Sequence, residues 1–354
     1  MKTNRYHLLS LLFILMSVAQ SARSQGSIDD LIKGSQKDAN YLVNGYVSPV
    51  LKVIGYGLNQ GWYNTAKPHK KFGVDLTATV NLIKIPSSDL NYYVDNSKLS
   101  SIELTNSAGT APAPNGGGLV PTVVGPNVTP LYHLKNDPAT GLPAPYTSQY
   151  EFQGPSGADL SKTPVMSNAL PVPVVQLGIG LPKGFDLKVR MIPKIKFGDN
   201  KDSDVSLIGF GLMHDIKQYL PGIKRLPFDL SGFVGYTNMK VNVAFDKNHQ
   251  DQKGTLTSSA TTIQAVISKK VSVLTGYFGL GYNIANTKVA VTGKYDTDND
   301  GVTDTNININ MNAASTGPRA TVGMRLKLAV FTFHGEYTMQ KYSSLTLGFG
   351  ISVR

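Results

Sequence analysis

Cysteine is missing from all 354 residues. That absence removes disulfides, thiolate metal sites, cysteine nucleophiles and a lipid-anchored N-terminal cysteine together. Long apolar runs are missing too: past residue 24 no stretch reaches the eighteen or so residues that a membrane helix requires. A membrane is not thereby excluded, because a closed β-barrel satisfies its backbone without helices. Signs of catalysis are equally scarce. His69, His133, His214, His249 and His334 stand isolated without metal-ligand spacing, and there is neither a nucleophile-elbow sequence nor a phosphate-cradling loop. The expectation is a protein that is not an enzyme and has no organic cofactor. No basic run with interleaved aromatics occurs, so nucleic acid is not an expected partner.

The first 24 residues form a separate unit. Lys2 and Arg5 precede an apolar run from Leu8 to Val18, and Ala22-Arg23-Ser24 offers small residues where a signal peptidase cuts. Residues 1–24 are therefore expected to be a cleaved signal peptide, with Gln25 at the mature N-terminus. Cleavage removes three cations and no acid, so the formal charge falls from +11 to +8. A basic exported protein favours anionic partners, such as lipopolysaccharide phosphates or acidic solutes.

The strongest pattern lies at the end of the chain, from Pro318 to Arg354. Ala320, Val322, Met324, Leu326 and Leu328 alternate with Arg319, Thr321, Gly323, Arg325 and Lys327; past Ala329-Val330, Phe331, Phe333, Tyr337 and Met339 oppose Thr332, His334, Glu336 and Thr338. A third run sets Leu345, Leu347, Phe349, Ile351 and Val353 against Thr346, Gly348, Gly350 and Ser352. Strand side chains alternate between faces, so each run is a ribbon with one apolar and one polar side. Such ribbons suit either a soluble sandwich or a barrel with lipid outside and a wet lumen.

The rest of the chain favours the barrel. Phe72, Val74, Leu76, Ala78, Val80 and Leu82 alternate with polar residues over a membrane-crossing length, and alternation returns after Pro173. Tight turns at Lys183-Gly184, Lys269-Lys270 and Ala329-Val330 largely alternate with polar connections at 86–170, 198–204, 246–254 and 296–304. Short turns at one rim and long loops at the other mark an outer-membrane barrel. The fold class expected is all-β, an antiparallel transmembrane barrel of about 10–14 strands with a short N-terminal helix or plug. Ser27, Asp29 and Asp30 start that helix, and Ile28, Leu31, Ile32, Ala39, Leu42, Val43 and Tyr46 carry it until Pro49 stops it. Leu51 to Trp62, with alternating glycines, reads as a first strand or an extended arm. Residues 25–62 thus form a plug or a periplasmic arm and 63–354 the barrel. The prolines and glycines of 86–170 predict a long external loop with only short strands near Ile102 and Tyr150.

Two constellations carry chemistry. Asp296, Asp298, Asp300 and Asp304, with Gly301, place hard oxygen ligands at alternate positions around a bend, as a calcium loop does, but the twelfth position is Ile307. The alternative is a solvated hairpin tip. Lys188, Arg190, Lys194 and Lys196 fall on one expected lumen face, and Arg319, Arg325 and Lys327 on another; Arg325 faces His334 across the turn, with Glu336 diagonal to it. This is either an electropositive lumen for an anionic solute or an ion-pair ladder with Asp75, Asp186 and Glu336.

The stretches Tyr56–His69, Gln176–Gly184 and Met213–Gln218, and the ending from Gly317-Pro318-Arg319 to Gly348–Arg354, resemble a family of Gram-negative outer-membrane barrels that carries a domain-of-unknown-function label. The chain is more distantly similar to FadL-type transporters of fatty acids and hydrocarbons, in which an N-terminal plug precedes the barrel. The resemblance implies an outer-membrane location, lipid and lipopolysaccharide as surroundings, and passage or binding of a small hydrophobic or amphipathic solute. A non-transporting scaffold or adhesin acting through its external loops is the other expectation.

Overall fold

The computed structural model describes residues 35–353 apart from 107–115, 138–139, 163–165, 199–201, 245–250 and 296–304. The signal-peptide residues, the helix start at Ser27 to Ile32 and the aspartates from Asp296 to Asp304 lie outside the described residues.

Among the described residues one α-helix, α1 (Gln36–Leu58), precedes the strands β1 (Val74–Lys84), β2 (Asn91–Asp95), β3 (Ile102–Asn106), β4 (Gly117–Pro121), β5 (Leu131–Leu134), β6 (Glu151–Gln153), β7 (Ala169–Leu181), β8 (Phe185–Phe197), β9 (Ser203–Asp215), β10 (Asp229–Ala244), β11 (Lys253–Val271), β12 (Leu274–Tyr295), β13 (Thr305–Ala314), β14 (Gly317–Leu328), β15 (Phe331–Met339) and β16 (Ser344–Val353). All the large-sheet pairings are antiparallel, and β1 pairs with both β7 and β16 while β11 pairs with β12, so the sheet closes as a ring of 10 strands. β13 and β14 count once in that ring. The pairs Asn286↔Ala314 and Asn283↔Gly317 keep one register along β12, and Ser315 N donates to Ala285 O across the break. They are one strand kinked at Ser315-Thr316.

Period-two patterning sets which way the wall faces. Leu76, Leu177, Phe210, Val234, Ile263, Leu280, Val322, Phe333 and Leu347 are exposed on the outside, while Thr77, Gln176, Thr237, Gln264, Thr321 and Thr346 are buried within. An apolar belt this continuous is a lipid-facing surface, not one that meets water. A soluble sandwich would put these residues against a second sheet. The turns on one rim are short, at Pro182–Gly184, Ser272-Val273 and Ala329-Val330, and Lys183, Ser272 and Ala329 take positive φ there. β11 runs through Lys269 and Lys270, so its turn falls three residues later than the polar pair predicts.

α1 differs from expectation in running nine residues past Pro49. Its N-cap is Ser35, whose Oγ accepts from Asp38 N. A helical proline frees carbonyls of the preceding turn, and Tyr46 O accepts from Val123 N instead. The glycines that imitate a strand alternation in 51–62 belong to the helix end. A Cβ on Gly55 would lie 2.6 Å from Ser315 Oγ, and one on Gly57 would lie 2.6 Å from Val172. They let the helix lie directly against the wall.

Residues 86–170 carry the short strands expected near Ile102 and Tyr150, as β3 and β6, and beyond that expectation β2, β4 and β5. They hold the pair β2–β4 and the triplet β3–β5–β6, which fold back onto α1. Strands of three to five residues between prolines are too short to show a period. Ala39, Leu42 and Val43 of α1 form one core with Val94, Ile102, Leu104 and Val120 of this cap and with Ile307, Ile309 and Met311 of β13.

Candidate functional site

The N-terminal segment threads the lumen from the long-loop rim to the short-turn rim. Gln36 Nε2 donates to Asn308 O at the upper end, and Phe72 N donates to Gly180 O at the lower. Between them the segment meets the inner wall in three zones.

The upper zone seals a free strand edge. Among the described residues β13 has a strand neighbour on its β12 side only, and an unpaired edge needs partners. Asn40 Oδ1 accepts from Asn310 N at 2.8 Å and Asn44 Oδ1 accepts from Asn312 N at 3.1 Å. Four helical residues rise about 6 Å and two strand residues about 6.7 Å, so amides spaced i, i+4 on the helix match alternate residues of the strand.

The middle zone is where the helix ends. A helix terminus leaves its last carbonyls without partners and carries partial negative charge, and α1 has no basic residue in its last turn. The wall supplies two. Arg190 on β8 donates from Nη1 to Leu58 O at 2.8 Å and from Nη2 to Gln60 O at 2.6 Å. Arg319 on β14 donates from Nη1 to Asn59 O at 2.8 Å and from Nη2 to Gln60 Oε1 at 2.9 Å. The Arg190 guanidinium also lies 3.4 Å from the Trp62 ring centroid. Glu336 accepts from Gly61 N at 3.4 Å and from Tyr277 Oη at 3.0 Å. The helix cap is thus assembled from three different strands of the wall.

The lower zone anchors an extended chain. Ser231 Oγ donates to Ala66 O and Ala66 N donates to Ser268 Oγ. Tyr63 Oη donates to Gln264 Oε1 at 2.5 Å, and Arg325 Nη1 donates to Asn64 Oδ1 at 3.0 Å. At the mouth His69 Nδ1 lies 2.9 Å from Asp186 and 3.6 Å from Asp75, while Lys188 Nζ is 3.4 Å from Asp186 and 3.8 Å from Asp75.

Of the residues expected in the lumen, Lys188, Arg190, Arg319, Arg325, Lys327, His334 and Glu336 all take inward positions. Arg325 does pair in register with His334, but its bond goes to Asn64, while Glu336 serves Tyr277 and Gly61. Lys327 Nζ donates to Ser352 Oγ, and neither ring nitrogen of His334 has a partner among the described residues. Lys194 is different. A register shift between Ile192 and Ile195 inserts one residue into β8, which turns Lys194 and Lys196 outward. Lys194 is exposed and meets Asp204 at 3.3 Å. Trp62, Gln60 and His69 escape a reading of strand parity because they belong to the inner segment. The lone tryptophan of the chain, beside Gly61, is the one sequence signal that marks them. Among the described residues no three His, Asp or Glu side chains converge as metal ligands.

The wall itself has a seam. β7 and β8 pair only from Gln176↔Arg190 to Leu181↔Phe185, although both strands continue upward, β7 against β1 and β8 against β9. Pro171 and Pro173, which have no N–H to give, lie on the unpaired stretch of β7. The last turn of α1 backs this seam from inside: Gly57 lies against Val172 on one edge, and Leu58 packs in a cluster with Ile54, Leu207 and Ile192 on the other. On the lipid side a groove of about 570 Å³ reaches Pro173 and Val175, with Val80, Phe333, Leu347 and Phe349 along it.

Among solved structures the chain is similar to the translocator domain of the autotransporter NalP from Neisseria meningitidis, at 9% identity over 86% of this chain and 93% of that one, with a TM-score of 0.26. It is similar to a Pseudomonas aeruginosa FadL homologue at 9% identity over 80% and 88%, with a TM-score of 0.23, and to the Ralstonia pickettii toluene transporter TbuX at 8% over 80% and 90%, with a TM-score of 0.21. Likeness at this distance does not bear on function. No curated protein matches the sequence. The Family of unknown function DUF6588 matches residues 1–353, and the chain belongs to it.

Proposed function

We propose that the chain is an outer-membrane barrel that binds a small hydrophobic or amphipathic solute and passes it between its lumen and the outer leaflet, with residues 36–72 as the gate. The observation that carries this reading is the β7–β8 seam. It stands at the height of the apolar belt, lacks a ladder, and has apolar side chains behind it, Ile54, Leu58, Ile192 and Leu207. Below the seam Gln176 Oε1 accepts from Arg190 Nε at 3.2 Å, and the arginine's other donors hold the end of α1. Shifting the end of the helix would open the seam to the lumen, while His69 and its carboxylates keep the lower mouth shut to water.

A second reading is a non-transporting scaffold working through its external cap. It is favoured by the inner segment, which occupies the lumen in all three zones. The chain has no cysteine, so Val174→Cys with Ile192→Cys places the only two thiols on the two edges of the seam. Uptake of long-chain fatty acid into liposomes by this variant is expected to stop when a reducible bis-maleimide bridges the edges and to resume on reduction. Uptake that ignores the bridge would remove the seam as the route. No uptake by inserted wild-type protein would remove transport of this solute and favour the scaffold.

A further inference from the structure

Above the apolar belt, on the long-loop rim, lies a polar cavity of about 410 Å³ that does not touch the inner segment. It is built where three pieces of chain meet: Lys84 and Ser87 at the end of β1, Ser167 and Asn168 before β7, and Lys341 and Ser343 in the turn between β15 and β16. Backbone bonds tie the pieces together, Lys84 N to Ser343 O and Ile85 N to Asn168 O, both at 2.8 Å. Two ammonium groups, three hydroxyls and a carboxamide therefore share one concavity, and among the described residues no carboxylate lines it. The nearby carboxylate, Asp89, is already engaged, accepting from Lys52 Nζ at 2.7 Å and from Tyr342 Oη at 2.6 Å.

Height on the barrel narrows the ligand. Lys84 continues the outward face of β1, two residues beyond Leu82, and Lys341 follows the exposed Met339 by two. Both lysines thus stand where the belt gives way to water, and their long stems let the charged heads reach that level. That is where a lipid leaflet carries its charged groups. We infer that this cavity binds a phosphate ester on the headgroup of an outer-leaflet lipid. Two ammoniums balance a dianion, the hydroxyls and the carboxamide donate to its oxygens, and no fixed negative charge opposes it. The volume also accommodates the sugar or glycerol that bears the phosphate, within the range of small-molecule sites.

The test is native mass spectrometry of the full chain in neutral detergent, titrated separately with diphosphoryl lipid A, with the same lipid stripped of phosphate, and with inorganic phosphate. One lipid A should bind per barrel and the stripped lipid should not. Lys84→Gln with Lys341→Gln should weaken binding by about tenfold or more, as expected for two lost charge-assisted contacts. Lys240→Gln with Lys288→Gln, outward lysines elsewhere above the belt, should leave it unchanged. Equal binding by the two double variants, or by the stripped lipid, would overturn the site. Saturation by inorganic phosphate that is lost in the Lys84/Lys341 variant, without lipid binding, would keep the phosphate site and overturn the lipid as its source.

Discussion

The upper and lower halves of the inner segment are held by different physics. Above, Ala39, Leu42 and Val43 are buried against apolar side chains of the cap and β13. Such contact is non-directional, scales with buried area and accepts other apolar shapes of similar volume. Below, from Asn59 to Phe72, there is no helix or strand, and the backbone groups find partners on the wall: Arg190, Arg319, Glu336, Ser231 and Ser268. Those contacts depend on the placement of single atoms, and a partner removed leaves a buried group unsatisfied. The lower half therefore does not loosen by degrees. Moving it strands several carbonyls together, which makes any opening of the barrel a discrete step.

The largest expected effect breaks that lower half. Arg190→Met leaves Leu58 O, Gln60 O and Gln176 Oε1 without their donor in a fully buried position. The loss is expected to be about 3–5 kcal/mol, comparable to breaking a buried charged contact, read as a lower guanidinium midpoint of the detergent-refolded protein. Arg190→Lys should recover little of it, since one ammonium cannot reproduce a fork that serves two carbonyls. In the upper half the conservative change should behave the other way. Leu42→Ala should cost about 2–4 kcal/mol by opening a cavity, and Leu42→Met less than about 1.5 kcal/mol. If Arg190→Lys proves as mild as Leu42→Met, the contrast between the halves is wrong.

A smaller effect probes the boundary between the two kinds of contact, where helix amides seal the edge of β13. Asn40→Ala with Asn44→Ala exposes two backbone donors, Asn310 N and Asn312 N, at a partly solvated edge. Water replaces part of what is lost, so about 1–2 kcal/mol is expected. The sharper readout is amide exchange, which should accelerate at residues 310 and 312 and stay unchanged at residues 320 to 324 of β14. Uniform acceleration would show that the seal supports the whole strand rather than its free edge.

Period-two patterning alone reveals the barrel, its outward belt and the inward course of Arg190, Arg319, Arg325 and Glu336. It does not reveal what those residues hold: Arg190, Arg319 and Glu336 meet main-chain carbonyls and an amide of residues 58–61, which look the same in every sequence, and Arg325 meets Asn64 in a segment without period. Other misreadings have equally local causes. Pro49 looks like a stop, yet Tyr46 O finds Val123 N at 2.9 Å, a bond supplied by the distant cap that no local rule anticipates. Gly55, Gly57 and Gly61 imitate strand alternation while serving close approach to the wall. One inserted residue near Pro193 reverses the facing of Lys194 and Lys196, and a bulge has no spacing signal when polar residues stand on both sides of it.

The smallest effect concerns the hinge between cap and barrel, where Asp89 joins Lys52 of α1 to Tyr342 of the β15–β16 turn. Burial alone would raise the Asp89 carboxyl, but the hydrogen bonds from Lys52 and Tyr342 and the nearby lysine charges outweigh it, so its pKa lies below the ordinary carboxylate value. The sign of the linkage follows. A carboxyl whose folded pKa is depressed adds stability above its unfolded pKa and loses it as pH falls through the folded one. Burial and the bond to Asp89 push the Tyr342 phenol upward, so its proton stays in place through the ordinary tyrosine range. Asp89→Asn should therefore cost about 1 kcal/mol near neutral pH, seen as faster proteolysis of the cap. The gap from wild type should hold unchanged down to about pH 5 and close only below the usual carboxylate range. A gap that closes already between about pH 6 and 7 would mean that a histidine, not Asp89, controls the hinge, and the cap would then belong with the directional lower half rather than with the area-driven upper one.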